Sequence, residues 1–274
     1  MPEGDTIHRA AALLRAALLD RPLTRVEVPR AAGPIPRPGQ RVAAVEARGK
    51  HLLVHVGGLV IHTHLRMTGS WRVYRPGERW RTSPRAARVV LGVSGAVAVC
   101  AASPVVEVLD AAALARHPTL RRLGPDLCDP RADLDAAAAR LRAVAPDRTI
   151  GEALLDERTA SGIGNVYRCD VLFLHGLDPW TPIGMVADSE LREVLATAAR
   201  LLRDNVDRPR RTTVPRAPEG SLWVYGRAGR PCRRCGGPIA RDRMGDPPRE
   251  VTWCPGCQPA RRANPPSGQG RAVS

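Results

Sequence analysis

Two Cys-x2-Cys pairs, Cys232 with Cys235 and Cys254 with Cys257, stand eighteen residues apart near the C-terminus. No other feature constrains the fold as tightly, because this spacing suits tetrahedral ligation of one zinc ion by four thiolates. A segment of about forty residues buries little apolar surface, so the metal supplies the folding energy that a core would otherwise provide. Such a zinc is structural, with no open coordination position for chemistry. Gly236-Gly237 and Pro255-Gly256 put tight turns beside the ligands, as two β-hairpin corners require. Cys100, Cys128 and Cys169 are scattered through apolar surroundings, a usage that fits metal binding and not a disulfide framework.

The chain has 42 Lys and Arg against 27 Asp and Glu, a net charge of +15. A polyanion is the expected partner if that charge is clustered. There is no apolar run of about 18 residues and no charged-then-apolar leader, so neither membrane spanning nor export is expected, and the expected compartment is the cytoplasm. Lys50 is the only lysine among the 42 basic residues. Arginine cannot reproduce a compact, titratable, three-donor ammonium, so the surviving lysine points to a chemical need; the bland alternative is that some lysine must be the last.

At 274 residues the chain exceeds the common single-domain length of about 100 to 200. Ile7, Ala10, Ala11, Leu14 and Leu18 recur at helical spacing behind Asp5, a plausible N-cap. From residue 21 to 107 short Val- and Leu-rich runs follow, among them 42–45, 52–56, 59–62 and 89–93, with Gly57-Gly58 and Ser94-Gly95 as two-residue hairpin turns. Beyond Asp110 the pattern becomes helical over 133–144, 150–156, 166–174 and 189–205, and a Pro- and Arg-rich stretch at 208–218 reads as a linker. The expected organisation is α+β and multidomain: a β-sandwich or barrel with its own N-terminal helix (1–110), a helical module (111–218), a four-cysteine zinc unit (219–258) and a disordered tail (259–274).

Met1-Pro2 is a favourable context for removing the initiator methionine, which exposes a secondary amine. Such an amine can attack a sugar C1′ and form an iminium that serves as an electron sink. Glu3 offers a carboxyl group for proton transfer beside it. The positive end of the following helix disfavours an ammonium there, so the amine should be neutral and nucleophilic.

Five ordered motifs then resemble one family. Pro2-Glu3-Gly4-Asp5-Thr6-Ile7-His8-Arg9, Gly49-Lys50-His51-Leu52-Leu53, Gly162-Ile163-Gly164-Asn165-Val166-Tyr167-Arg168, Val224-Tyr225-Gly226-Arg227 and the cysteine unit look like the formamidopyrimidine-DNA glycosylase and endonuclease VIII family. The Pro-Glu-Gly opening is similar to the endonuclease VIII branch. The resemblance implies a β-sandwich, a helix-two-turn-helix domain and a zinc β-hairpin, with damaged double-stranded DNA in the cleft between the halves of a monomer. It implies that Pro2 forms the Schiff base, that Glu3 is the proton donor for base release, and that Lys50 is the proton donor associated with β-elimination. Arg249, five residues before Cys254, matches the hairpin arginine used on phosphate and associated with δ-elimination; alone it would read as a solvated charge. Asn165 opens a helix, where its side chain and the first N–H groups can face a phosphate, although a plain helix cap fits the same residues. Arg122 matches a DNA-contacting arginine.

Departures bear on the substrate. Arg66 and Met67 stand where the endonuclease VIII pattern has Gln and Leu, and Met67 looks like the formamidopyrimidine branch. Met67 reads either as a wedge at a base step or as a packed strand residue. Thr6 occupies a place where relatives often carry a second acid. The implied activity is a bifunctional glycosylase and abasic-site lyase of base excision repair acting on oxidised pyrimidines. An oxidised-purine enzyme and a non-catalytic zinc DNA-binding protein are the alternatives, and a bacterial, nucleoid-associated location follows from either enzyme.

Overall fold

A computed structural model describes residues 2–31 and 33–261; most of the expected tail, 262–274, lies outside the described residues. The apolar stripe of the first helix, α1 (Gly4–Leu18), is buried at Ile7, Ala10, Ala11, Leu14 and Leu18. It lies against a sandwich of two antiparallel four-stranded sheets. One sheet runs β2 (Val42–Arg48), β3 (His51–Val56), β4 (Leu59–His64), β8 (Val105–Leu109), and the other runs β1 (Arg25–Glu27), β6 (Ala87–Val93), β7 (Ala96–Ala101), β5 (Ser70–Tyr74).

Strand period two sorts the side chains. Leu52, Val54, Ile61, Val89 and Leu91 enter one core with the α1 stripe. On the opposite face of the first sheet, Leu53 and Val60 pack with Leu120. His51, His62 and Glu107 share that outer face, with His51 opposite His64 and His62 opposite Glu107. The expected hairpins form where positive φ is available: Gly57 and Gly58 take φ of 60° and 79° between β3 and β4, as a two-residue primed turn demands.

The helical half follows as α2 (Ala111–Arg116), α3 (Leu134–Arg142), α4 (Ile150–Ala153), α5 (Asn165–Leu174) and α6 (Asp188–Asp204). Asp110, Asp133 and Thr149 cap α2, α3 and α4 by accepting N–H groups at 2.7, 2.8 and 3.3 Å. α4 stops at Ala153, shorter than the expected run to 156, because residues 156–159 turn to present Glu157. Asp5 does not cap α1. Glu3 holds that position, and Asp5 is buried inside the first turn.

The strands of the four-cysteine hairpin, β9 (Ala240–Met244) and β10 (Arg249–Trp253), pair antiparallel, with Arg249 opposite Met244. Met244, Val251 and Cys254 form a core with Cys169 and Phe173 of α5, so α5 is shared by both C-terminal units. Among the described residues no helix is long and apolar enough to cross a membrane.

The 208–218 stretch expected as a linker is pinned. Asp170 of α5, fully buried, accepts N–H groups from Trp223, Val224 and Tyr225 at 2.9, 3.0 and 2.9 Å and the hydroxyl of Thr213. Replacing it orphans four buried donors. Asp170→Ala is therefore expected to lower the unfolding free energy by about 3 kcal/mol or more, read by urea denaturation, and Asp170→Asn, which keeps one acceptor oxygen, by less.

Candidate active site

The backbone of α5 begins at a glycine, and Glu3 is seated on that beginning. Its carboxylate accepts the N–H of Gly164 and of Val166, both at 2.9 Å. These are the orphan donors of a helix N-terminus, where the dipole also favours an anion. A Cβ at Gly164 would stand 2.3 Å from Glu3 Cδ, so only glycine leaves room. Burial raises the Glu3 carboxyl above its ordinary 4.5, against the pull of the Arg211 guanidinium and the Val166 N–H. The N–H groups expected to face a phosphate thus hold Glu3 instead.

Arg211 completes this corner. Its Nε reaches Asp5 at 2.8 Å, its guanidinium lies 3.5 Å from Glu3, and it stacks 4.9 Å over the Tyr167 ring. Thr6 accepts a further N–H of Arg211 at 3.2 Å. Sequence pattern alone does not single out Arg211, one more arginine in the Pro- and Arg-rich stretch at 208–218.

Lys50 arrives from the β2–β3 turn, where Gly49 adopts φ of 57° and its missing Cβ avoids a 2.6 Å approach to Ser161. The Lys50 ammonium donates to the Ile163 carbonyl at 2.6 Å and lies 3.5 Å from Glu157. Burial works to raise the Glu157 carboxyl, but the Lys50 charge and the His64 and His51 rings hold it at about 2. Glu157 and its histidines were not singled out from the sequence either; the signal available was Glu157 lying only a few residues ahead of the Gly162-Ile163-Gly164 motif.

These groups meet in one cavity of about 100 Å³, lined by Pro2, Glu3, Lys50, Arg66, Met67 and Arg249, with His64, Leu155, Glu157 and Gly164. Arg66 sits at the β4–β5 loop with φ of 51°. Met67 beside it is 64% exposed, so the packed-strand alternative is excluded. Asn165 is buried and committed: its amide donates to the Glu250 carbonyl at 2.6 Å and its oxygen accepts from Arg168. Arg122 is exposed at the end of a short 3-10 turn, Leu120–Arg122, and does not line the cavity.

In the hairpin unit the four cysteine sulfurs lie within 4.8 Å of one another. Cys232 and Cys257 are 3.8 Å apart, and Cys235 and Cys254 are 3.4 Å apart. A tetrahedral zinc with bonds of about 2.3 Å requires S···S edges of about 3.8 Å, so the cysteines can hold a metal ion.

Residues 1–104 match the formamidopyrimidine-DNA glycosylase N-terminal domain, and residues 123–215 match the H2TH domain of the same enzyme. The chain belongs to the formamidopyrimidine-DNA glycosylase family. Among family relatives, a probable endonuclease 8 2 of Streptomyces coelicolor is 46% identical, with 94% of each chain covered. A protein named DNA-(apurinic or apyrimidinic site) lyase Nei2, from Mycolicibacterium smegmatis, is 43% identical, covering 95% of this chain and 100% of its own. Among solved structures, the MutM (Fpg) protein of Thermus thermophilus superposes with a TM-score of 0.76 at 26% identity, covering 94% of this chain and 98% of that one. A Lactococcus lactis Fpg bound to DNA containing N7-benzyl-Fapy-dG superposes equally, with a TM-score of 0.76 at 20% identity over 94% and 100% of the two chains.

Glu157 makes the site sensitive to acid. Its carboxyl is depressed from 4.5 to about 2 on folding, so the stability it adds is complete above pH 4.5 and is lost as the pH falls toward about 2. Glu157→Gln is expected to flatten that part of the acid limb when denaturation midpoints are plotted against pH.

Proposed function

We propose that this DNA glycosylase and abasic-site lyase of base excision repair attacks the sugar C1′ of a damaged nucleotide with the amine of Pro2. The carrying observation is the single cavity that gathers Pro2 and Glu3, Lys50 and Arg249 from three separate segments of the chain. The reading requires removal of Met1, which frees the nitrogen. Glu3, whose carboxyl burial pushes upward, gives a proton to the departing base. The C1′–N bond breaks and a Pro2–C1′ bond forms, which resolves to an iminium as the sugar ring opens. The iminium acidifies C2′; that proton passes to water, its electron pair forms the C2′–C3′ double bond, and the C3′–O bond breaks so that the 3′ phosphate leaves with the pair of that bond. Lys50 serves as the proton donor of this step. Arg249 holds the second phosphate for δ-elimination, leaving a one-nucleotide gap.

Damaged duplex DNA is the proposed substrate, bound by one copy of the chain in the bacterial cytoplasm, at the nucleoid. Exposed Met67, with Arg66, enters the gap left by the extruded nucleotide. Arg122 adds a backbone contact away from the chemistry. Asn165 reaches phosphate only by giving up Glu250. The four cysteines hold one structural zinc, which keeps β10 and so Arg249 in place. Oxidised pyrimidines are the favoured lesions, supported by the Pro2-Glu3-Gly4 opening.

Borohydride reduction tests the nucleophile. The processed chain is expected to give a covalent adduct on an abasic duplex, while Pro2→Gly, or a chain that keeps Met1, loses trapping and retains DNA affinity; an untrappable processed chain overturns the assignment. Met67→Ala is expected to slow single-turnover excision from duplex DNA at least about tenfold, or about 1.4 kcal/mol. Cleavage of a single-stranded abasic site, which needs no wedge, should change far less.

A further inference from the structure

Backbone donors fix the protonation of a histidine chain behind Lys50. Thr119 and Leu120 donate their N–H groups to His117 Nδ1 at 3.2 and 3.1 Å. Neutral His117 therefore carries its proton on Nε2 and donates it to Glu107 at 3.0 Å. The same Glu107 oxygen is 2.7 Å from His62 Nδ1. Burial works to raise the Glu107 carboxyl, yet the hydrogen bonds from His62 and His117 hold it below its ordinary value. As an ionised acceptor it places the His62 proton on Nδ1. The His62 Nε2 lone pair then accepts from His51 Nδ1 at 2.9 Å. His51 is left with a bare lone pair on Nε2.

That nitrogen is buried and has no hydrogen-bond partner. It faces the Glu157 carboxylate, 3.8 Å from one oxygen, and His64 Nε2 is 3.9 Å from the same oxygen. Two acceptors turned toward each other call for a positive centre between them. Lys50 does not supply it, because its ammonium is committed to Ile163 and to the other oxygen of Glu157.

We propose that His51, His64 and Glu157 form a second metal site, which takes one divalent ion of the zinc class beside Lys50. Two imidazoles and one carboxylate suit zinc, and a tetrahedral site with bonds of about 2.0 Å needs ligand edges of about 3.3 Å. The nitrogen–oxygen separations of 3.8 and 3.9 Å close to that with a shift of about half an ångström, and all three ligand atoms lie within 4.8 Å of one another. His64 ligates once its proton moves to Nδ1, at the cost of the 3.2 Å bond from the Arg66 N–H, on an exposed residue that water can serve. The fourth position opens toward the cavity that His64 and Glu157 line. His62 and Glu107 form the outer shell that orients His51, the arrangement by which proteins hold a ligating ring. An ion here shares the carboxylate that holds Lys50; if Lys50 is the proton donor proposed above, the loaded site is an inhibited state.

The test uses the full chain with its cysteine zinc retained and no DNA, titrated with Zn²⁺ by calorimetry and checked by metal analysis after gel filtration. A second equivalent of zinc per chain is expected. Its affinity should fall about 10- to 100-fold in Glu107→Gln, be lost in Glu157→Gln and in His64→Gln, and rise in Lys50→Met, where the competing charge is gone. Retention of the first zinc reports that each variant has folded, and His64→Gln, at the cavity wall, serves if a buried replacement does not fold. A parent chain that binds only one zinc overturns the proposal. So does a second zinc held equally by the parent, Glu157→Gln and His64→Gln, an adventitious ion only. Neither result touches the Pro2 reading, which borohydride decides.

Discussion

Moving a carboxylate out of water costs several kcal/mol even after the protein relaxes, and the Glu3 carboxylate is fully buried between the two halves of the molecule. The first turn of α5 offsets that cost, since its free N–H groups and positive end need an anion as much as Glu3 needs donors. Both sides of this contact are backbone-controlled. On one side Glu3 caps α1 by position; on the other Gly164 is the N-cap of α5. Gly4 adds a backbone bond to the Gly162 carbonyl at 2.9 Å. The consequence is that Pro2, one residue ahead of Glu3, is tethered at the seam beside the cavity it lines.

A second layer of charge surrounds the first. Asp5 and Glu3 would repel each other if left alone, and Arg211 lies between them with its flat face on Tyr167. Across the cavity Glu157 plays the matching part for Lys50, so Glu3, Asp5 and Lys50 each face an opposite charge on the other lobe. An acid lifted by burial and an acid held near 2 therefore stand in one cavity. That separation suits one carboxyl to donate a proton and the other to remain a counterion.

Much of this was legible in the sequence where spacing is local. The sandwich follows from period-two runs and glycine turns, the helices from their stripes and caps, and the cysteine cluster from two short pairs. The residues that support the site were not legible, because their partners are distant along the chain. Arg211 meets Asp5 across some two hundred residues, Glu157 meets Lys50 across more than a hundred, and the His51–His62–Glu107 chain runs across three strands. Nothing in a one-dimensional pattern distinguishes such an arginine from a solvated one, and for Glu157 the nearby Gly162-Ile163-Gly164 motif is the one local signal. Asn165 shows the converse: its helix-opening position was legible, but its commitment to Glu250 of the hairpin depends on tertiary docking.

The seam between the lobes also decides which parts of the site can yield to DNA. It is a run of polar bonds: Glu3 on α5, His8 on Asp126 at 2.9 Å, the Gly49 N–H on Asp126 at 2.7 Å and the Lys50 N–H on Glu157 at 3.2 Å. Separating the lobes there would expose several buried charges at once, so the seam is the stiffest place in the cleft. A cavity of about 100 Å³ must nevertheless widen to take a nucleotide. The groups at its open edge are Arg66 and Met67 on the β4–β5 loop, with Met67 64% exposed, and Arg249, whose side chain is exposed. Pro2, Glu3 and Lys50 lie along the seam, and Arg66, Met67 and Arg249 lie at its exposed rim. This division lets the rim adapt to the helix without disturbing the geometry of bond breaking.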